Sequence, residues 1–182
     1  MKRVAELIFE GCFLKQVPRS GYQFLGAGKE SVAEHVFSTI FIAFIMAQLE
    51  PAADAGKLMA MCLVHDLPEA RIGDLNYVQK KYLAANEALA LSHSLEGLSF
   101  GHTIKDLLEE FNTGTTLEAC LARDADQLAL VADLKALQGV GYTTPQTWMP
   151  HVKARLKTEI GKQLAESLSD LPHDEWWRKL FC

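Results

Sequence analysis

His65 and Asp66 are adjacent at the end of an apolar run, and Glu69 follows four residues after the histidine. That spacing places an imidazole and a carboxylate on one face if helical geometry continues past Pro68. Asp and Glu are rarely buried without a partner, so three such groups behind a Met-Cys-Leu-Val run need an explanation that core packing does not supply. A metal ion supplies one. His35 lies near the start of a second apolar run, and Asp126 interrupts the otherwise apolar stretch 121–137. Two imidazoles and two carboxylates suit a divalent transition metal with room left for water. Alone, His35 reads as a satisfied core histidine and Asp126 as a buried cap or ion-pair partner. Asp124 competes with Asp126 as the fourth group.

The elements that must position these residues are helical. Apolar residues at 4, 7, 8, 12 and 13 recur at three- and four-residue steps, giving a first helix that ends before Pro18. Residues 16–29 carry Pro18, Gly21, Gly26 and Gly28 and form a loop. Ser31 with Glu34 is a capping box that opens a long helix through Leu49, stopped by Pro51. Helices are expected over 52–67, 77–91, around 102–111 and over 116–140. Thr144-Pro145 signals an N-cap with Pro at the first helical position, starting a helix toward Leu168, and a tail helix follows near 174–181. No strand pairing, repeat or linker is visible. The expected fold class is all-α: one domain over residues 1–182, with a metal-binding core over about 1–140 and C-terminal helices over about 145–182.

Composition narrows the functions. The chain has 182 residues, 49% hydrophobic and 23% charged, with 12 Gly and 6 Pro, which excludes a disordered or low-complexity chain. Its net charge of −5 carries no basic cluster and repels a nucleic acid polymer, though a few placed cations still allow a small anionic substrate. Cys12, Cys62, Cys120 and Cys182 form no CxxC pair and read as thiols of a reducing cytoplasm. No export signal is visible, and the apolar stretch 36–49 is shorter than the roughly 20 residues of a membrane span, so it reads as a core helix.

The order His35, His65-Asp66, Asp126 resembles the H…HD…D signature of the HD-domain superfamily of metal-dependent phosphohydrolases. The blocks Lys15-Gln16-Val17-Pro18-Arg19, Glu30-Ser31-Val32-Ala33-Glu34-His35, His65-Asp66-Leu67-Pro68-Glu69-Ala70 and Gly73-Asp74-Leu75 are similar to its compact 5′-deoxynucleotidase branch. The resemblance implies one divalent metal (Co, Mn, Fe, Ni, Zn or Mg) held by His35, His65, Asp66 and Asp126. It favours Asp126 over Asp124, because the family places its metal aspartate two residues before an apolar run. It implies that Glu69 orients or deprotonates the attacking water, that Asp74 lies near the sugar or that water, and that Arg19 grips phosphate. Such an ion can lower the pKa of water from about 15.7 toward about 7 to 9.

The expected function is hydrolysis of nucleoside 5′-monophosphates, deoxyribonucleotides foremost, by a cytoplasmic homodimer with no membrane partner. The rivals are an HD enzyme acting on a cyclic nucleotide or a nucleoside triphosphate, and a helical interaction module with a structural metal. Some bacterial members follow the early arginine with Trp, which shapes the sugar pocket. Here Ser20-Gly21 follow, and Tyr22 is the nearest aromatic.

Overall fold

The capping box at Ser31 forms as expected: Ser31 Oγ accepts from the Glu34 amide, and Glu34 Oε2 accepts from the Ser31 amide at 2.7 Å. Two otherwise unpaired donors are thereby satisfied at the start of the helix that carries His35. The computed structural model describes residues 1–181. Its α-helices are α1 (Lys2–Phe13), α2 (Tyr22–Leu25), α3 (Val32–Leu49), α4 (Ala55–Val64), α5 (Glu69–Ile72), α6 (Glu87–Leu95), α7 (Gly101–Thr113), α8 (Leu117–Gly139), α9 (Pro145–Lys153), α10 (Glu159–Asp170) and α11 (Glu175–Arg178). Short 3₁₀ turns occupy Leu14–Gln16 and Gln79–Lys81. Among the described residues no strand forms, and one isolated bridge pairs Pro18 with Ser31.

Helix α8 is the axis of the fold and packs against α3, α4, α7, α9 and α10. Its buried face alternates Ala119, Ala122, Ala125 and Ala129 with Leu121, Leu128 and Leu134, so small side chains admit neighbouring helices while leucines fill the space between them. The main core joins Met46, Leu58, Met61, Leu121 and Leu128 to Leu156 and Ala165 from beyond α9. Truncating one of these leucines to Ala costs about 2–5 kcal/mol. The C-terminal helices therefore share the core that holds the site.

Three expected helices differ from the fold. Over 77–91 only Glu87–Leu95 is α-helical, because Asn76 Oδ1 accepts from the Val78 and Gln79 amides and Asn86 Oδ1 from the Leu89 amide, turning the chain before restarting it. Over 144–168 the helix breaks in two. Asp124 captures the amides of Lys157 and Thr158 at 2.8 and 2.7 Å, and Thr158 Oγ1 then caps α10. Thr144 itself has helical backbone and makes no capping bond, although Pro145 does stand at the helix start. The tail helix shortens to Glu175–Arg178. The expected loop over 16–29 includes the short helix α2.

Candidate metal centre

His35, at 1% exposure, lies in the first turn of α3 and faces inward. His65 closes α4, its amide donating to Met61 O. Its Nδ1 lies 2.8 Å from Cys62 O. That bond requires the proton on Nδ1 and leaves the Nε2 lone pair free, the tautomer a metal ligand needs. Asp66 follows on the turn, and Asp126 projects from the middle of α8. His35 Nε2 lies 2.9 Å from Asp126 Oδ1 and 3.8 Å from Asp66 Oδ2, while His65 Nε2 lies 3.2 Å from Asp66 Oδ2. One ligand atom from each of His35, His65 and Asp126 falls within a 4.8 Å span. The four residues expected to act together are together.

Three buried atoms in this group, His65 Nε2, Asp66 Oδ2 and Glu69 Oε2, make no hydrogen bond. The 3.2 Å approach between the first two lacks hydrogen-bond alignment. Buried polar atoms are nearly always paired, so these orphans, two of them 3.2 Å apart, call for a further partner, and two imidazoles with two carboxylates are a donor set for a divalent ion.

Electrostatics agree. Burial pushes Glu69 up to about 9, reinforced by the charges of Asp66 and Asp74 against those of Arg19 and His65. Burial alone would depress His65, but Asp66 and Asp126 outweigh it and raise it to about 9. Asp126 stays well below the usual carboxylate range despite its burial, held there by His35 and by the charges of His65 and Arg19.

Asp124 has another employment. At 1% exposure it accepts from Lys157 N, Thr158 N and Thr158 Oγ1. A Cβ at position 161 would sit 2.4 Å from its Oδ2, which is why the first turn of α10 carries Gly161.

Arg19 lies beside the cluster, 19% exposed, with Nη1 3.5 Å from Asp66 Oδ2 and Nε 3.9 Å from both Asp74 and Glu30. Asp74 reaches its place through Gly73, whose φ of +75° belongs to the left-handed side of the map that favours glycine. Its Oδ2 accepts from the Ser20 amide at 2.8 Å, so Asp74 fixes the loop bearing Arg19. At Ser20-Gly21, where an aromatic is expected of only some bacterial members, the Trp148 ring from α9 stands 3.9 Å from where a Cβ on Gly21 would be.

Glu30 and Asp133 add to the site without having been singled out as acids. Glu30 Oε2 lies 4.0 Å from His35 Nδ1, and burial with the nearby charge of Asp133 raises its pKa to about 8. Asp133 accepts from Tyr22 Oη at 2.7 Å. The available signal was spacing: Asp133 follows Asp126 by two helical turns and shares its face.

An all-α domain with a two-histidine, two-aspartate cluster at the junction of α3, α4 and α8 defines a metal-site class. Residues 13–168 match the HD domain family, and the chain belongs to it. The chain is 25% identical over 131 residues to the 5′-deoxynucleotidase hdd1 of Schizosaccharomyces pombe, a match covering 66% of this chain and 65% of that protein. It is 30% identical over 124 residues to the 5′-deoxynucleotidase HDDC2 of Danio rerio, covering 65% and 61%. The chain thus spans slightly under two thirds of the length of these relatives. A conserved hypothetical protein from Pyrococcus furiosus has the same fold, with a TM-score of 0.76 at 27% identity over 92% of this chain and 99% of that one.

Proposed function

We propose that this protein is a metal-dependent phosphohydrolase that releases phosphate from nucleoside 5′-monophosphates, deoxyribonucleotides foremost. The names of its relatives support the substrate class. The observation that carries the chemistry is the set of unpaired buried atoms on His65, Asp66 and Glu69, with the Arg19 guanidinium 3.5 Å from Asp66.

In this reading His35, His65, Asp66 and Asp126 hold one divalent ion. When bound, that ion acidifies water and withdraws charge from phosphate. Glu69 takes a proton from the attacking water at its free Oε2: beside the bound cation its pKa would be drawn down from the metal-free value of about 9, so that the deprotonated carboxylate is present near neutral pH. The same proton can pass to the departing 5′ oxygen as the P–O bond breaks. Arg19 offers a planar fork to the remaining phosphate oxygens, and Asp74 holds that fork in place through the Ser20 amide.

We read residues 1–182 as a single domain acting in the cytoplasm, consistent with the free thiols of Cys12, Cys62 and Cys120. We also propose a homodimer. Exposed apolar side chains also lie on α1 and over 77–83, but on α3 Phe37, Phe41 and Phe44 form a row along one face, and the first two rings stack at 6.4 Å.

The test is phosphate release by chelator-stripped protein reloaded separately with Co, Mn, Fe, Ni, Zn or Mg, against nucleoside mono-, di- and triphosphates, cyclic nucleotides and simple phosphomonoesters. Metal-dependent hydrolysis confined to monophosphates is expected. Equal hydrolysis of triphosphates or cyclic nucleotides would overturn the substrate class.

A further inference from the structure

Asp126 divides its two oxygens between different partners. Oδ1 faces His35 Nε2 at 2.9 Å, whereas Oδ2 accepts from Gln127 Nε2 at 2.8 Å. Consecutive side chains on a helix normally diverge, so this contact needs something to hold the amide back against its neighbour. Arg155 does so: its Nη1 donates to Gln127 Oε1 at 3.3 Å. The guanidinium also fixes which way the amide points. A flipped amide would set its oxygen against the Asp126 carboxylate and its NH₂ against a guanidinium, leaving acceptor facing acceptor and donor facing donor.

Arg155 is placed in turn by Asp124. It sits in the connection between α9 and α10, its amide bonded to Val152 O, and next to it Leu156 is buried in the main core. Two residues further on, Asp124 pins the Lys157 and Thr158 amides to α8. One aspartate of α8 anchors the turn, and the turn reaches back through Arg155 and Gln127 to the other.

Resting on the metal reading above, we propose that Gln127 is a positioning residue for the metal centre, occupying Asp126 Oδ2 so that Oδ1 alone is presented, and that Arg155 acts through it. The C-terminal helices thereby set the affinity of a site whose ligands all lie before residue 127. Partners of this kind typically change metal affinity 10–100-fold when lost.

The experiment is a Co²⁺ titration of the metal-free protein followed by visible absorption, with folding checked by thermal melting. Gln127→Leu should weaken Co²⁺ binding on the order of 10-fold or more and alter the Co²⁺ spectrum as Oδ2 is freed. Gln127→Glu should weaken it further, by setting an acceptor against the carboxylate. Arg155→Ala, a surface change, should cost several-fold, Arg155→Lys should restore part of that, and Arg155→Ala combined with Gln127→Leu should be no worse than Gln127→Leu alone. Unchanged affinity and spectrum in Gln127→Leu, with binding lost in His35→Ala, would overturn this inference while leaving the metal reading intact. Full binding in His35→Ala would overturn both.

Discussion

Replacing Asp124 and Asp126 separately should give opposite signatures. Asp124 receives two backbone amides and one hydroxyl at 2.6–2.8 Å in a place with 1% exposure. A hydrogen bond to a charged group contributes about 1.5–3 kcal/mol, and the two amides cannot leave when the carboxylate is removed. Thr158 Oγ1 keeps its bond to the Gly161 amide, so its loss is partial. Asp124→Ala should therefore cost about 3–5 kcal/mol. At about 2–4 °C per kcal/mol for a chain of this size, the melting temperature of the metal-free protein falls on the order of 10 °C. Asp126→Ala loses the His35 contact and the partly buried Gln127 bond but strands no backbone amide, so the metal-free protein should melt within a few degrees of wild type. The assay is differential scanning fluorimetry with and without Co²⁺. A ligand at 100 times its Kd stabilises by about 2.7 kcal/mol, and that upshift should survive in Asp124→Ala and vanish in Asp126→Ala. An Asp126→Ala protein that keeps the shift, paired with an Asp124→Ala protein that loses it at unchanged stability, would refute the assignment of the two aspartates.

Glu69→Gln should retain Co²⁺ yet lose on the order of 10²-fold or more in kcat, read by phosphate release; normal turnover would make the carboxylate structural. Arg19→Ala should lower kcat/KM for a deoxynucleoside monophosphate by about 1.5–3 kcal/mol, with Arg19→Lys recovering only part because it lacks the planar fork; unaltered kinetics would return Arg19 to an ordinary charge beside the site. In the metal-free protein Glu69 and His65 both hold protons more tightly than in the unfolded chain, with values of about 9 against ordinary values of 4.5 and 6.5. The folded state therefore binds more protons across that interval, and stability falls as pH rises from 6.5 to about 9, the His65 contribution being complete below 6.5. Metal affinity should rise over the same range, because protons compete for His65 Nε2; a melting temperature that climbs with pH would contradict the protonation scheme. Finally, Phe41→Glu should shift a dimer toward monomer in light scattering coupled to size-exclusion chromatography, and an unmoved mass would exclude the α3 face as the interface.

The four proposed ligands were legible because each breaks an apolar pattern at a point where hydrophobic burial cannot explain it. His35 follows a capping box that fixes its place on α3, and His65-Asp66 ends a helix whose apolar face fixes its orientation. Asp124 against Asp126 was harder, since two aspartates two residues apart on one helix point to different neighbours and only tertiary contact says which. The break between α9 and α10 was invisible to periodicity, because its cause is a carboxylate 33 residues away from Lys157. Gln127 and Arg155 carried no signal at all, one being an ordinary helix residue and the other an ordinary surface charge. The first part of the helix expected over 77–91 does not form because Asn76 and Asn86 redirect the chain through side-chain bonds that compete with helical ones.

The central claim, one divalent ion held by residues of three helices, is tested most directly by anomalous diffraction from crystals of the Co²⁺-loaded protein. The account predicts a single peak within about 2.0–2.2 Å of His35 Nε2, His65 Nε2 and carboxylate oxygens of Asp66 and Asp126. A peak elsewhere, or one that persists at this place in crystals of Asp126→Ala with the remaining ligands unmoved, would contradict it.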